Sequence, residues 1–285
     1  MPGRAMKILM LHGHDQSAQI FQPKARYVEA AFHSFAREND IEFRFQYLSG
    51  VLPARPDRNK DHDHWVWGYG DPSDGEIKRI ELSVQHILAT LDRDGPFVGI
   101  AGFSSGAAMA AIIASHIEKR SMFNDQPWLT QHPPLRFALC LSGFRLGPLY
   151  EKFYNPTIRT PIFLTIGSHD PVILPESSRS LAKHCQFAQI FEFPGVHYVP
   201  QSDEFPNFRK ALADFLDILN HAPTPQVPAL TTLKGGLGQN FLKTRPFLKT
   251  YCRRKQVTVT STFYTVGHRQ IRVRRGRKFD SLGVE

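Results

Sequence analysis

Gly102-Phe103-Ser104-Ser105-Gly106 sets a serine between two glycines, after an apolar run from Phe97 to Ala101 and before a small-residue run from Ala107 to Ala114. That order reads as strand, sharp turn and helix. A serine in such a turn is held at a strained backbone angle with its hydroxyl clear of the sheet edge. Glycines two residues to either side keep the strand and the helix from colliding. The helix N-terminus favours negative charge, and the backbone amide of Ser105 can face an oxyanion. Ser104 is the candidate nucleophile, and the chemistry is acyl transfer.

A serine hydroxyl is a poor nucleophile at neutral pH, so it needs a histidine to take its proton and a carboxylate to orient that histidine. Both follow in chain order. The apolar run Pro161 to Ile166 reads as a buried strand and leads into Gly167-Ser168-His169-Asp170-Pro171, where Asp170 is the candidate acid. Gln189 to Phe193 alternates as a short strand and ends in Pro194-Gly195-Val196-His197, where His197 is the candidate base. Taken alone, Gly-x-Ser-x-Gly is a weak signal, and Asp before Pro is an ordinary turn starter. The order serine, acid, histidine, each at the end of a strand, carries the reading.

A fourth piece lies near the N-terminus. Lys7 to Leu11 is a short apolar strand running into His12-Gly13-His14-Asp15. A backbone amide just after a His-Gly pair supplies the second oxyanion donor in this arrangement, which assigns it to His14 beside Ser105. An i, i+2 histidine pair without a third ligand nearby is a poor zinc signature, so neither metal nor organic cofactor is expected.

At this point the chain resembles the FSH-type serine hydrolases, fungal and animal α/β-hydrolases that include fungal polyketide-pathway esterases. The resemblance rests on Leu11-His12-Gly13 with Gln16 close behind, Gly95-Pro96-Phe97 leading to Gly102-Phe103-Ser104, and Phe137 through Ser142-Gly143-Phe144. Gly167-Ser168-His169-Asp170 and Gly195-Val196-His197-Tyr198-Val199-Pro200 complete it, over roughly residues 6 to 219. It implies nucleophile Ser104, acid Asp170 and base His197. Two positions depart from the pattern: Ser105 stands where the family often has Gln, and Val196 interrupts a usual glycine pair. Neither removes a side chain of the triad.

The elements that must hold these residues alternate between strand and helix periods. Ile20 to Asn39 has helical spacing, Ile41 to Tyr47 alternates with period two, and Ile77 to Leu91 returns to helical spacing. Phe137 to Leu141 reads as a strand and Phe205 to Leu219 as a closing helix with Phe208, Leu212, Phe215, Leu216 and Leu219 on one face. This predicts an α/β-hydrolase fold: a doubly wound, mostly parallel sheet with helices on both faces. Residues 51–75 break the pattern with three prolines, Asp61-His62-Asp63-His64, and Trp65, Trp67 and Tyr69. A long aperiodic loop beyond the second strand lies near the carboxyl ends, where open sheets bind ligands. The three aromatics are candidates for a substrate wall or lid, against the alternative of packing over the core. The Asp-His alternation reads as a charged loop, because one short run lacks a ligand framework.

The formal charge of +9 is unevenly placed. Residues 222–285 hold 13 of the 35 Lys+Arg and 2 of the 26 Asp+Glu, which leaves +11 there and −2 on residues 1–221. The domain expectation is a hydrolase domain over 1–221 and a basic, disordered extension over 222–285, opening on a Pro-rich linker. The alternative for that extension is a tether to nucleic acid or anionic membrane. Three scattered cysteines form no disulfide framework, and no apolar run reaches the ~18 residues of a membrane helix. The cytoplasm is the expected location.

The expected activity is hydrolysis of a carboxylic ester or thioester through an acyl-enzyme. The resemblance further implies release or trimming of acyl or polyketide chains in secondary metabolism, with a synthase carrier domain as partner. A general short- or medium-chain carboxylesterase is the alternative within the class. A non-catalytic hydrolase-fold binding protein with a basic tail is the alternative from another class.

Overall fold

The computed structural model describes residues 5–56, 63–72, 75–120, 122–123, 126–127, 129–201 and 206–221. The chain divides into two units, Met1–Ala229 and Leu230–Glu285, and every described residue belongs to the first. The basic extension expected over 222–285 lies outside the described residues.

Six strands form the sheet: β1 (Ala5–Leu11), β2 (Glu42–Leu48), β3 (Phe97–Phe103), β4 (Phe137–Leu141), β5 (Ile162–Gly167) and β6 (Ala188–Phe193). Their spatial order is β6-β5-β4-β3-β1-β2, and every neighbouring pair is parallel. Parallel strands need crossovers, and helices supply them: α1 (Ala18–Asn39), α2 (Ile80–Asp94), α3 (Ser105–Lys119), the short α4 (Glu151–Tyr154) and α5 (Pro175–Lys183), while α6 (Pro206–His221) follows the last strand. The period-two pattern of β1 sorts its side chains between two cores. Ile8 and Met10 pack with α1 and α6, while Leu9 and Leu11 pack with α2, α3 and Leu181 of α5. Both faces are therefore covered by helices, as expected of buried parallel strands.

Local chemistry explains the helix ends. Ser17 caps α1 by accepting from the Ile20 amide at 3.1 Å, and Asp40 closes it in the left-handed region at φ 53. In α3 every residue from Gly106 to Ile117 is buried, which the alanine run permits by letting the helix lie close against the sheet. The α6 stripe Phe208, Leu212, Phe215, Leu216 and Leu219 is buried as its spacing requires. Among the described residues no helix is long and apolar enough to cross a membrane.

The aperiodic stretch has small structure of its own. Leu52–Pro53 pairs antiparallel with Trp65–Val66, and Tyr69 bridges to Lys78. Asp61 and His62 lie outside the described residues.

Candidate active site

The register aligns the strand ends. Phe103 sits opposite Leu141 and Leu141 opposite Thr165, so the loops after β3, β4 and β5 leave the sheet in one layer. Strand order reverses between β2-β1 and β3, and ligands bind at the carboxyl edge beside such a switch point. Ser104 follows β3, Asp170 lies three residues past β5, and His197 four past β6.

Ser104 adopts φ 54, ψ −119, a strained conformation for a residue with a side chain, costing on the order of 1–3 kcal/mol. Its amide donates to the Leu141 carbonyl at 2.9 Å, which ties the turn to the next strand. The flanking glycines are demanded by close backbone approach. A Cβ on Gly102 would lie 2.2 Å from the Gly106 carbonyl oxygen, and one on Gly106 would lie 2.3 Å from that of His12.

The structure brings Ser104, His197 and Asp170 into one hydrogen-bonded chain. His197 Nδ1 is 2.7 Å from Asp170 Oδ2, and His197 Nε2 is 2.9 Å from Ser104 Oγ. A carboxylate oxygen only accepts, so Nδ1–H donates to Asp170 and Nε2 is left to accept from the serine hydroxyl. The other carboxylate oxygen, Asp170 Oδ1, accepts from the amides of Val172 at 2.8 Å and Ile173 at 2.9 Å. Asp170 is thus fixed on both oxygens and 3% exposed. The Phe103 ring, 4.9 Å from that of His197, backs the imidazole. Val196 is 49% exposed and is not among the residues with positive φ, so valine is accommodated where the family often has glycine.

Ser105 is the first residue of α3, and the first amides of a helix have no intrahelical acceptor. Its hydroxyl is buried and has no hydrogen-bond partner among the described residues. His14 is exposed and follows Gly13 in the segment after β1.

That segment is gripped by the loop after β2. Gly50 N–H donates to His12 Nε2 at 2.9 Å, and Trp67 Nε1–H donates to the His12 carbonyl at 2.8 Å. Trp67 also stacks on the His12 ring with centroids 4.6 Å apart. The Trp65 amide donates to the Gln16 carbonyl at 2.8 Å, and His64 Nδ1 lies 2.8 Å from the Asp15 carbonyl oxygen. Arg55 reaches Asp15 at 3.4 Å.

The three candidate wall residues therefore have different places. Trp67 is 2% exposed and turned onto His12. Trp65 is half-buried with its ring N–H on Asp63, and Tyr69 is half-buried with its hydroxyl on the Pro53 carbonyl. Hydrogen bonds from Ser17 and Trp65 hold Asp63 below the usual carboxylate range. Burial pushes His12 down to about 4, so the ring is neutral at ordinary pH. A hollow of about 400 Å³ lined by His33, Arg37, Asp40, Glu42 and Phe43 lies at the amino edge of the sheet, where α1 meets β2. It is at the opposite end from Ser104, and among the described residues no serine, threonine or cysteine lines it.

The roles of Gly50 and Trp67 at His12 lay beyond sequence reasoning. Both are contacts across more than 35 residues, and neither residue belongs to a motif with a mechanism attached.

Comparison with known proteins identifies a family. The family model described as serine hydrolase (FSH1) matches residues 1–208. The esterase OVCA2 of Danio rerio is 28% identical over 234 residues, covering 74% of this chain and 96% of that protein. A Schizosaccharomyces pombe protein named dihydrofolate reductase is 27% identical over 226 residues, covering 75% of this chain. The chain spans about half of that relative's length, 47%. Among solved structures, esterase PE8 aligns with a TM-score of 0.50 at 16% identity, over 76% of this chain and 94% of that one, a likeness of fold alone.

Proposed function

The chain belongs to the serine hydrolase (FSH1) family, and from that premise we propose that it cleaves a carboxylic ester or thioester through an acyl-enzyme on Ser104. The observation that carries this reading is the unbroken chain Ser104 Oγ to His197 Nε2 at 2.9 Å and His197 Nδ1 to Asp170 Oδ2 at 2.7 Å, anchored on a serine in a strained turn.

In this reading the Ser104 oxygen attacks the acyl carbon while its proton passes to His197 Nε2. The charge that develops on the acyl oxygen is met by the backbone amides of Ser105 and His14, with the N-terminus of α3 adding favourable potential. The tetrahedral intermediate collapses as the bond from carbon to the leaving oxygen or sulfur breaks, and His197 returns the proton to that leaving group. Water then enters, gives its proton to His197 and attacks the acyl carbon. The carboxylic acid departs and Ser104 regains its hydrogen. Asp170 fixes the imidazole in the tautomer that both half-reactions need. No step calls for a metal or an organic cofactor.

The narrower reading, polyketide-chain release in secondary metabolism, comes from the family resemblance. With Trp67 turned inward against His12, only Trp65 and Tyr69 of the three aromatics are left to wall a substrate, and the reading supported best is the broader esterase or thioesterase one. The name of the S. pombe relative describes a chain about twice as long as the matched part and is not carried over.

The test is covalent labelling by a fluorophosphonate probe read as intact mass, beside a Ser104→Ala variant. Labelling that disappears with Ser104→Ala is expected. A folded protein that takes up no probe, or a Ser104→Ala variant that labels as well as wild type, overturns the assignment.

A further inference from the structure

We infer that His12 is a positioning residue for the oxyanion site: its ring clamps the carbonyl of Gly13 and so sets the direction of the His14 amide. The inference rests on the acyl-enzyme reading above and assigns one side chain a part in it.

The ring has a hydrogen-bond partner on each nitrogen. Gly50 N–H lies 2.9 Å from Nε2, and an N–H can only donate, so Nε2 is unprotonated. The carbonyl of Gly13 lies 2.7 Å from Nδ1 and can only accept, so Nδ1 carries the proton. The neutral Nδ1–H form is the single form that satisfies both partners. Burial reinforces it: the residue is 0% exposed, and Trp67 stacks on the ring.

The consequence passes through the peptide bond. The Gly13 carbonyl and the His14 amide belong to one planar trans unit, in which C=O and N–H point in opposite directions. Drawing the carbonyl toward the His12 ring therefore turns the His14 N–H away from that ring. Glycine is the residue freest to rotate here, and without a clamp its flanking peptide would have the widest choice of orientation. Nor can this segment drift from the nucleophile. A Cβ on Gly13 would lie 2.8 Å from the Phe103 ring, and the His12 carbonyl lies against Gly106 in the first turn of α3. The clamp thus acts on a peptide already seated beside the turn that carries Ser104.

The fold contains its own control. His132 bonds in the same way, with Nδ1 2.7 Å from the carbonyl of the next residue, Pro133, and Nε2 accepting from the Phe97 amide at 2.8 Å. Phe97 begins β3, whereas Ser104 follows its end, so this second clamp serves the opposite edge of the sheet. If these clamps only stabilise the fold, substitutions at the two histidines will behave alike.

The experiment compares asparagine and glutamine at both positions. Asparagine places an amide N–H where Nδ1 stands, and glutamine places its carbonyl oxygen where Nε2 stands. His12→Gln keeps the tie to Gly50 and loses the clamp on Gly13; it is expected to lower kcat for a p-nitrophenyl ester by about 10- to 100-fold with KM little changed, short of the roughly 10²–10³ lost when a donor is removed outright. His12→Asn restores the donor and is expected to recover most of kcat. Neither His132 variant should alter kcat by more than about threefold, whatever it does to the melting temperature. Equal kcat in wild type and folded His12→Gln, or equal losses from the Asn and Gln variants at position 12, overturns the inference.

Nitrogen-15 NMR of the wild-type imidazoles decides the point independently of whether a variant folds. A His12 ring protonated on Nδ1 supports the clamp, and one protonated on Nε2 overturns it. Wild type that neither labels nor turns over overturns the acyl-enzyme reading instead, and is distinguished by its unlabelled Ser104 from an active enzyme indifferent to His12→Gln.

Discussion

Asp170→Asn tests whether the carboxylate governs the tautomer of His197. The replacement is nearly isosteric, and the two backbone donors at Oδ1 decide how it sits. Val172 and Ile173 donate to that oxygen at 2.8 and 2.9 Å, so the asparagine oxygen settles there and its NH₂ group faces His197 Nδ1. An N–H facing Nδ1 requires that nitrogen to accept, which moves the ring proton to Nε2 and turns it toward Ser104 Oγ. The base can then no longer take the serine proton. Flipping the amide rescues the tautomer but forfeits both backbone bonds, about 1 kcal/mol each, and sets N–H against N–H. At about 2–3 kcal/mol in all, the competent form falls to roughly one part in 30 to 160. Losing the negative charge opposite the developing imidazolium costs about a further 1.5–3 kcal/mol. The sum predicts kcat/KM lower by about 400- to 25,000-fold. Initial rates on p-nitrophenyl esters measure this, with thermal denaturation confirming that the variant folds. A folded Asp170→Asn protein within tenfold of wild type would refute the claim that Asp170 acts through the orientation of His197.

Other outcomes follow from the glycine contacts and from the buried His12. Gly106→Ala directs a Cβ at the His12 and Leu11 carbonyl oxygens, 2.3 and 2.5 Å away, both of them backbone. It should cost at least about 2 kcal/mol in denaturant titration, whereas Gly75→Ala, with no described residue within 4 Å of its Cβ, should leave stability unchanged or raise it by up to about 1 kcal/mol. Acid should weaken the fold through His12, whose ring is held down to about 4 by burial while the unfolded side chain titrates near 6.5. The unfolded chain binds the extra proton in that window, so this contribution is complete above pH 6.5 and is lost as pH falls toward 4, by about 3 kcal/mol. His86 and His132, also lowered by burial, act in the same direction. Melting temperatures from pH 4 to 7 should fall less steeply for His12→Asn than for wild type; parallel curves would exclude His12 as a source of the acid sensitivity.

Much of the architecture was legible because it is periodic. Phe137 to Leu141 carries nothing but buried side chains, and β4 occupies those residues. The α6 stripe repeats at helical spacing, and Ser104, Asp170 and His197 each follow a strand that announces itself. α5 was missed, because in Pro175–Lys183 only Ser178 and Leu181 are buried, too thin a stripe to register against serine and charge. Its signal was local: proline at the first turn followed by Glu176 marks a helix start. The stretch 51–75 was readable only as aperiodic. Its geometry comes from single long-range bonds, such as Trp67 to the His12 carbonyl, which leave no spacing in a sequence. Nor did any spacing distinguish Trp67, which turns inward, from Trp65 and Tyr69.

The grip of the loop after β2 on residues 12–16 bears on how such a protein could change its diet. Gly50 and Trp67 lie in a part of the chain that ordinarily tolerates insertion and drift, yet both hold His12, one by its ring and the other by its carbonyl. On the acyl-enzyme reading proposed above, a change of acyl group that reshaped this loop would meet resistance at those two positions. Between them, exposed positions such as Val51 and Pro56 have more room to vary than the buried Leu52 and Val66. A designer grafting a foreign loop here would have to carry over a backbone N–H at position 50 and an indole at position 67, or leave Nε2 and the carbonyl of His12 without their donors.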